Sequence, residues 1–415
     1  MFVCPTPPPL RAPTAERPRY AIRLRVHPGL TLVEGDVVVA FTPNRTTKRI
    51  VFRLWPNGPR TGSHLDVGHA TVDGKRVAAT HPAPTTLVLR RGVRARSTVT
   101  IHLPWRLHVP RRADRIGRWA GGVRLGSFFP ILPWDPRRGW ITEPPAQILG
   151  ESSTSPTADF DVTVRTPRGY RAFASGTPFA PGRWHAHALR DFAVAVGRFV
   201  TLSATTHAPR RVTVAVAADP RTQVARDVLS LATRSLVKLS QRYGPYPWRT
   251  YTLVVAPDLV NVGIEYPTLV FVGPGNFITT VVQHETAHQW FYSLVGNDQE
   301  RDPWLDEALA TWSQSRLAGR LLGAGAVRSD ESAMRHVGAP ISFFAHRQAD
   351  YFREVYGGGL DALASLRSPS RVDCALRLYV ARNGYGIAQP RDLLAELDRV
   401  IPGAAERLRR FGIHR

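Results

Sequence analysis

The chain has 415 residues, of which 43% are hydrophobic and 9% aromatic, enough for two or three globular cores and too apolar for a disordered polymer. Its formal charge of +23 invites an anionic partner, yet the excess is spread along the chain, with lysine only at Lys48, Lys75 and Lys238 and no long basic run. A bias towards arginine is the expectation and specific nucleic-acid binding is not; no apolar run approaches membrane-spanning length, and Cys4 and Cys374 allow at most one bridge.

Residues 1–18 read as a proline-rich, irregular lead-in. Its start, Met1 to Pro9, lacks the basic and apolar parts of a signal peptide, so the chain taken as it stands is expected in the cytoplasm. The alternative is an envelope or secreted protein whose leader began further upstream. From Tyr20 the period becomes two: Tyr20, Ile22, Leu24 and Val26 alternate with Ala21, Arg23 and Arg25. Further β-type runs follow at Val37 to Phe41, Ile50 to Leu54, Thr86 to Leu89, Thr98 to Leu103 and Phe160 to Val164, with turn residues at Glu34-Gly35-Asp36, Pro43-Asn44, Pro56-Asn57-Gly58 and Asp73-Gly74. Strands so spaced, without helical pattern between them, predict a largely antiparallel β domain over 19–203. A Trp- and Pro-rich stretch from Gly126 to Pro145 reads as a long ordered loop.

Beyond it the pattern becomes α+β. Val212 to Val216 reads as a strand, and Asp219-Pro220 as the start of a helix with an apolar face through Val224, Val228, Leu231, Leu236, Leu239 and Tyr243. Tyr251 to Val255 is a buried strand, and Arg371 to Arg382 and Arg391 to Val400 are the last clear helices. Between them lies His284-Glu285-Thr286-Ala287-His288. On a helix its two histidines share one face and can hold a single zinc ion, with Glu285 beside it. A catalytic zinc has three protein ligands, and Glu307, nineteen residues after His288, is the candidate third. Gly296-Asn297 is expected to stop the first helix, and Asp302-Pro303 to open a second that returns Glu307 to the histidines.

Gln283 to Trp290 and Trp304-Leu305-Asp306-Glu307-Ala308 resemble the paired zinc motifs of the M1 aminopeptidase family (gluzincins), with Asp306 where that family usually has asparagine. The resemblance covers essentially the whole chain as a short two-domain form. It implies a saddle-like N-terminal β domain, closed by a segment like Asp191 to Gly197, and a thermolysin-like catalytic domain over 204–415. It also implies one zinc per chain on His284, His288 and Glu307, with Glu285 as general base. Asn261 to Pro267 resembles the family's exopeptidase motif with Val262, Ile264 and Tyr266 altered; there Gly263 and Glu265 border the substrate, and the acid binds its free α-amino group. Val355 to Leu360 resembles the segment whose tyrosine assists the oxyanion, which nominates Tyr356, with Tyr351 close by. A zinc aminopeptidase acting on peptides with a free N-terminus is the expectation. A zinc endopeptidase and a non-catalytic peptide- or polyanion-binding protein with a vestigial site are the alternatives. The oligomeric state is not readable from the sequence.

Overall fold

The computed structural model describes residues 2–148, 150, 154–319 and 334–414. The alternation in the first strand, Arg19–Val26, does what its period requires: every second side chain is buried. This strand pairs antiparallel with Leu32–Phe41 and parallel with Ala158–Arg165, in a nine-stranded sheet that also takes in Val99–His108 and Arg183–Leu189. Its inner face carries an aromatic core in which Tyr20 stacks on Phe160 with ring centroids 4.8 Å apart. Phe129 closes on both rings edge-on. Two smaller sheets complete the N-terminal domain, together with a short hairpin, Trp134–Asp135 against Gly139–Trp140, inside the stretch read as a loop. One joins Ile116–Trp119, Gly122–Gly126, Ala193–Gly197 and Arg171–Ala174; the other joins Ile50–Arg53, Thr86–Leu89 and Ala79–Ala83.

Glu34-Gly35-Asp36 is not a turn. Leu32–Phe41 runs through it without a break in register. Gly35 is there because two neighbours crowd the position: a Cβ would lie 2.4 Å from the Arg23 carbonyl and 2.6 Å from the Trp105 ring.

The second sheet has five strands in the order Val200–His207, Arg211–Ala218, Thr250–Val255, Leu269–Val272 and Gly263–Ile264. The expected division at residue 203 therefore falls inside a strand that is paired along its length with Arg211–Ala218, and the change of sheet comes at Arg198-Phe199. Helix α1 (Ala225–Tyr243) packs against this sheet and buries Val228, Leu236, Leu239 and Tyr243. It begins after Val224, not at Asp219-Pro220. Asp219 is drawn elsewhere, accepting from Trp119 Nε1 at 2.8 Å and from Arg221.

Helix α2 (Ile278–Ala287) lies on α1 and α3 (Trp304–Leu317), and the helical remainder among the described residues includes α4 (Gln348–Tyr351), α5 (Gly359–Ala364), α6 (Pro369–Asn383), α7 (Pro390–Val400) and α8 (Ala404–Leu408). Between α4 and α5 the chain widens to a π-helical turn, Phe352–Gly358. A disulfide joins Cys4 in the lead-in to Cys374 in α6, and the Arg11 N–H donates to the Ala381 carbonyl at 2.9 Å. The irregular lead-in is thus fastened to α6 at two points. No helix among the described residues is long and apolar enough to cross a membrane.

Candidate metal centre and substrate cleft

His284 and Glu285 sit in the last turn of α2, and His288 caps its end with helical backbone angles. The helix stops there and not at Gly296-Asn297, which forms a short parallel pairing with Ile387–Ala388. The one-turn spacing is preserved up to the cap, and the two Nε2 atoms lie 3.1 Å apart. Asp302 supplies no side-chain cap to α3, but the helix starts where expected and puts Glu307 in its first turn. Glu307 Oε2 stands 3.2 Å from His284 Nε2 and 3.4 Å from His288 Nε2.

His288 is aimed from behind, since its Nδ1–H donates to the Phe291 carbonyl at 3.0 Å and leaves Nε2 facing the cluster. Two imidazole nitrogens and one carboxylate oxygen, converging within 4.8 Å with His288 and Glu307 buried and His284 partly so, are the donor set of a catalytic zinc with a position left open. Glu265, Glu285 and His288 form a second cluster of the same compactness. Glu265 Oε1 and Glu285 Oε2 are buried without a hydrogen-bond partner. Buried carboxylate oxygens in that state call for cations, and the residues present fit a zinc ion.

The carboxyls of this site are pushed in opposite directions. Burial raises the pKa of Glu285 well above the ordinary range; His288 opposes this, while Glu265 and Glu307 reinforce it. Burial would raise Glu307 too, but hydrogen bonds to His284 and His288 hold it well below. Asp306, fully buried behind the ligand, is pushed up to about 8 by burial and by Glu307. Its carboxyl accepts from Gln299 Nε2 and from the Glu307 N–H, each at 2.9 Å.

The segment carrying Glu265 is held by the residue that follows the cap of the zinc helix. Gln289 accepts from the Thr268 N–H at 2.8 Å and donates to the Tyr266 carbonyl at 3.0 Å. Gly263, in the edge strand, faces Glu285: a Cβ there would lie 2.3 Å from Oε1. The π-helical turn presents Tyr356, whose ring stacks on His284 at 5.7 Å. Burial, with Glu307 and Tyr351 nearby, keeps its hydroxyl protonated far above neutrality. Tyr351 is buried beside it, with its ring edge-on to Phe344 and, at 5.8 Å, to Tyr356, and Glu307, Asp306 and Glu265 add to burial in raising the pKa of its hydroxyl. Tyr356 lines the cleft, a cavity of about 540 Å³ whose walls also include Glu265, Phe352, Trp55, Asp114 and Arg115.

All seven residues nominated from sequence, His284, Glu285, His288, Glu307, Glu265, Gly263 and Tyr356, line or adjoin this cleft. What sequence reading missed is the wall supplied by the N-terminal domain, Trp55 and Asp114-Arg115. No local motif marks these residues, and only long-range packing brings them to the site.

Residues 229–339 match the Peptidase family M1 domain. The chain is 36% identical over 107 residues to mouse (Mus musculus) Aminopeptidase RNPEPL1, covering 24% of this chain and 15% of that protein. It is 35% identical over 88 residues to Aminopeptidase B of Rattus norvegicus, covering 20% and 14%. The chain thus spans only about 15% of the length of the curated relatives it matches. Among solved structures, the M1 zinc metallopeptidase of Deinococcus radiodurans shares the fold with a TM-score of 0.71 at 21% identity, over 96% of this chain and 94% of that one. A mutant of that enzyme bound to a Tyr-Ser-Ala substrate gives a TM-score of 0.66 at 20% identity, over 96% and 94%.

Proposed function

We propose that this chain, which carries a peptidase family M1 domain over residues 229–339 on the fold of the two-domain M1 zinc metallopeptidases, is a zinc-dependent aminopeptidase that removes residues from the free N-terminus of peptides. The observation that carries this reading is Glu265. Its carboxylate is buried in the cleft wall with Oε1 unpartnered, in one compact cluster with Glu285 and His288. A fixed carboxylate one residue's length from the reacting carbonyl recognises an ammonium and measures off a single residue.

When bound, zinc supplies a water of near-neutral pKa and polarises the scissile carbonyl. His284, His288 and Glu307 would hold it, one per chain. Glu285, raised in basicity by burial and by its two neighbouring acids, accepts the water's proton and returns it to the leaving amine as the C–N bond breaks. Tyr356, protonated at neutral pH, donates to the carbonyl oxygen as negative charge grows there. Glu265 holds the substrate's ammonium throughout. The Cys4–Cys374 bridge supports residence in an oxidising compartment outside the reducing cytosol.

The test is hydrolysis of a panel of L-aminoacyl amidocoumarins, with chelator and after zinc is restored. Release of fluorophore that stops on chelation and returns with stoichiometric zinc is expected; turnover insensitive to chelation would contradict the proposal.

A further inference from the structure

Arg124 lies in the strand Gly122–Gly126 of the N-terminal domain, and its side chain is wholly inaccessible to solvent. A guanidinium withdrawn from water has to place its N–H donors on acceptors. Nη1 forks to both oxygens of Asp258, at 2.7 and 2.9 Å, while Nε and Nη2 donate to the carbonyls of Asp114 and Arg112. One side chain therefore joins two walls of the cleft. Asp258 stands in the turn that runs from the strand Thr250–Val255 to Gly263–Ile264 and on to Glu265. Arg112 to Asp114 leads directly into Arg115, which lines the cleft together with Glu265.

The surrounding backbone leaves little slack. At Gly117 a Cβ would lie 1.9 Å from the Arg112 carbonyl and 2.7 Å from Arg124 Nη2, so only glycine lets the guanidinium through. At Gly273 a Cβ would lie 1.5 Å from the Leu259 carbonyl. The Gly273 N–H also donates to the Val262 carbonyl at 2.9 Å, so the turn after Asp258 is pressed against the strand Leu269–Val272. The chain from Asp258 to Gly263 and Glu265 is thus one tightly packed turn. Across the cleft, burial disfavours the Arg115 cation, but Tyr266, Glu265 and Asp114 hold its pKa above the ordinary value. Arg115 and Glu265 both line the cleft.

We propose that Arg124 is a positioning residue for the amine subsite. Through Asp258 on one side and the Arg112 and Asp114 carbonyls on the other, it sets the separation between the Glu265 carboxylate and the Arg115 wall, and with it the fit of the substrate's N-terminal ammonium. This rests on the aminopeptidase reading given above. A residue that merely held the fold would change how much protein is active and not which ligand that protein prefers.

The experiment reads preference directly. Zinc-loaded full-length protein is titrated calorimetrically with leucine hydroxamate and with 4-methylpentanoic hydroxamate, which differs only in lacking the α-amine. The unmodified protein should bind the amine-bearing compound at least about tenfold more tightly. In Asp258→Asn and Arg124→Lys that ratio should fall by at least about fivefold, while the Kd of the amine-free compound stays within about twofold. A smaller change in Asp258→Asn overturns the positioning role while leaving the Glu265 anchor in place. A ratio near one in the unmodified protein overturns the anchor itself and this inference with it. If Arg124→Lys fails to fold, Asp258→Asn gives the same readout, because a ratio of dissociation constants does not depend on the fraction of active protein.

Discussion

Glu285 and Gly263 are in such close apposition that the proposed general base is positioned by the absence of a side chain. Gly263→Ala would push the carboxylate away from the reacting water. We expect kcat to fall by about ten- to a hundredfold with zinc content unchanged. A fully active Gly263→Ala protein would contradict the geometry. Glu285→Gln should likewise keep its metal and lose on the order of a thousandfold in rate, since the amide accepts no proton; wild-type turnover would remove Glu285 from the mechanism. A different residue governs stability. Glu300 is buried, with Oε2 unpartnered, and burial together with Asp298 and Glu143 pushes its pKa up to about 8. A carboxyl raised in the folded state favours folding below its unfolded pKa. That contribution is lost as pH rises from about 4.5 to about 8. Glu300→Gln should therefore stabilise the protein at pH 8.5 by on the order of 1 to 3 kcal/mol and much less at pH 5. Equal effects at the two pH values in thermal unfolding would contradict the assignment.

At the scale of elements, helices α2 and α3 matter because each delivers its ligands from one end. The rest of α3 is anchored by Asp373 of α6, which accepts from Trp312 Nε1 at 2.9 Å and from Arg316 at 3.0 Å, and also pairs with Arg242. The next residue, Cys374, carries the disulfide to Cys4, closing a loop of 370 residues. Opening it, by reduction or by Cys374→Ser, should lower stability by on the order of 2 to 5 kcal/mol. An unfolding temperature unaffected by reductant would show that the bridge constrains nothing. The zinc helices were legible in sequence because metal ligation imposes fixed spacings on them, and the first strand because its period is strict. Their ends were not. Gly296-Asn297 resembles a helix stop, yet α2 ends at His288 because the turn through Trp290 and Phe291 is fixed by tertiary packing and by the His288 to Phe291 bond. Glu34-Gly35-Asp36 resembles a turn, but Trp105 packing over Gly35 makes it strand. The Glu265 segment was legible only by resemblance, and the Arg115 wall opposite it not at all, since its placement depends on Arg124 reaching Asp258 across 134 residues.

At the scale of the molecule, part of the arginine excess has a structural use that the sequence concealed. Arg190, buried beneath the zinc helix, donates to the carbonyls of Ser155, Ser293 and Gly386 at 3.0 to 3.2 Å. Arg138 of the N-terminal domain pairs with Asp298 and with Glu143, which in turn holds Arg301. With Arg124 these side chains tie the β domain to loops on the catalytic side, using the many donors of a guanidinium where a lysine would offer a single point. A net charge of +23 used in this way predicts no nucleic-acid function. Duplex DNA at physiological salt should bind with Kd above about 1 µM and dissociate on adding salt; a tight, sequence-selective complex would contradict that reading. An aminopeptidase requires a cleft built for a free amine. The direct measurement compares cleavage of one peptide with a free N-terminus and the same peptide N-acetylated, by the zinc-loaded protein and by its Glu265→Ala variant. At least about a hundredfold preference for the free peptide in kcat/KM is expected, abolished by the substitution at unchanged zinc content. Equal rates on the two peptides by the unmodified enzyme would make it an endopeptidase.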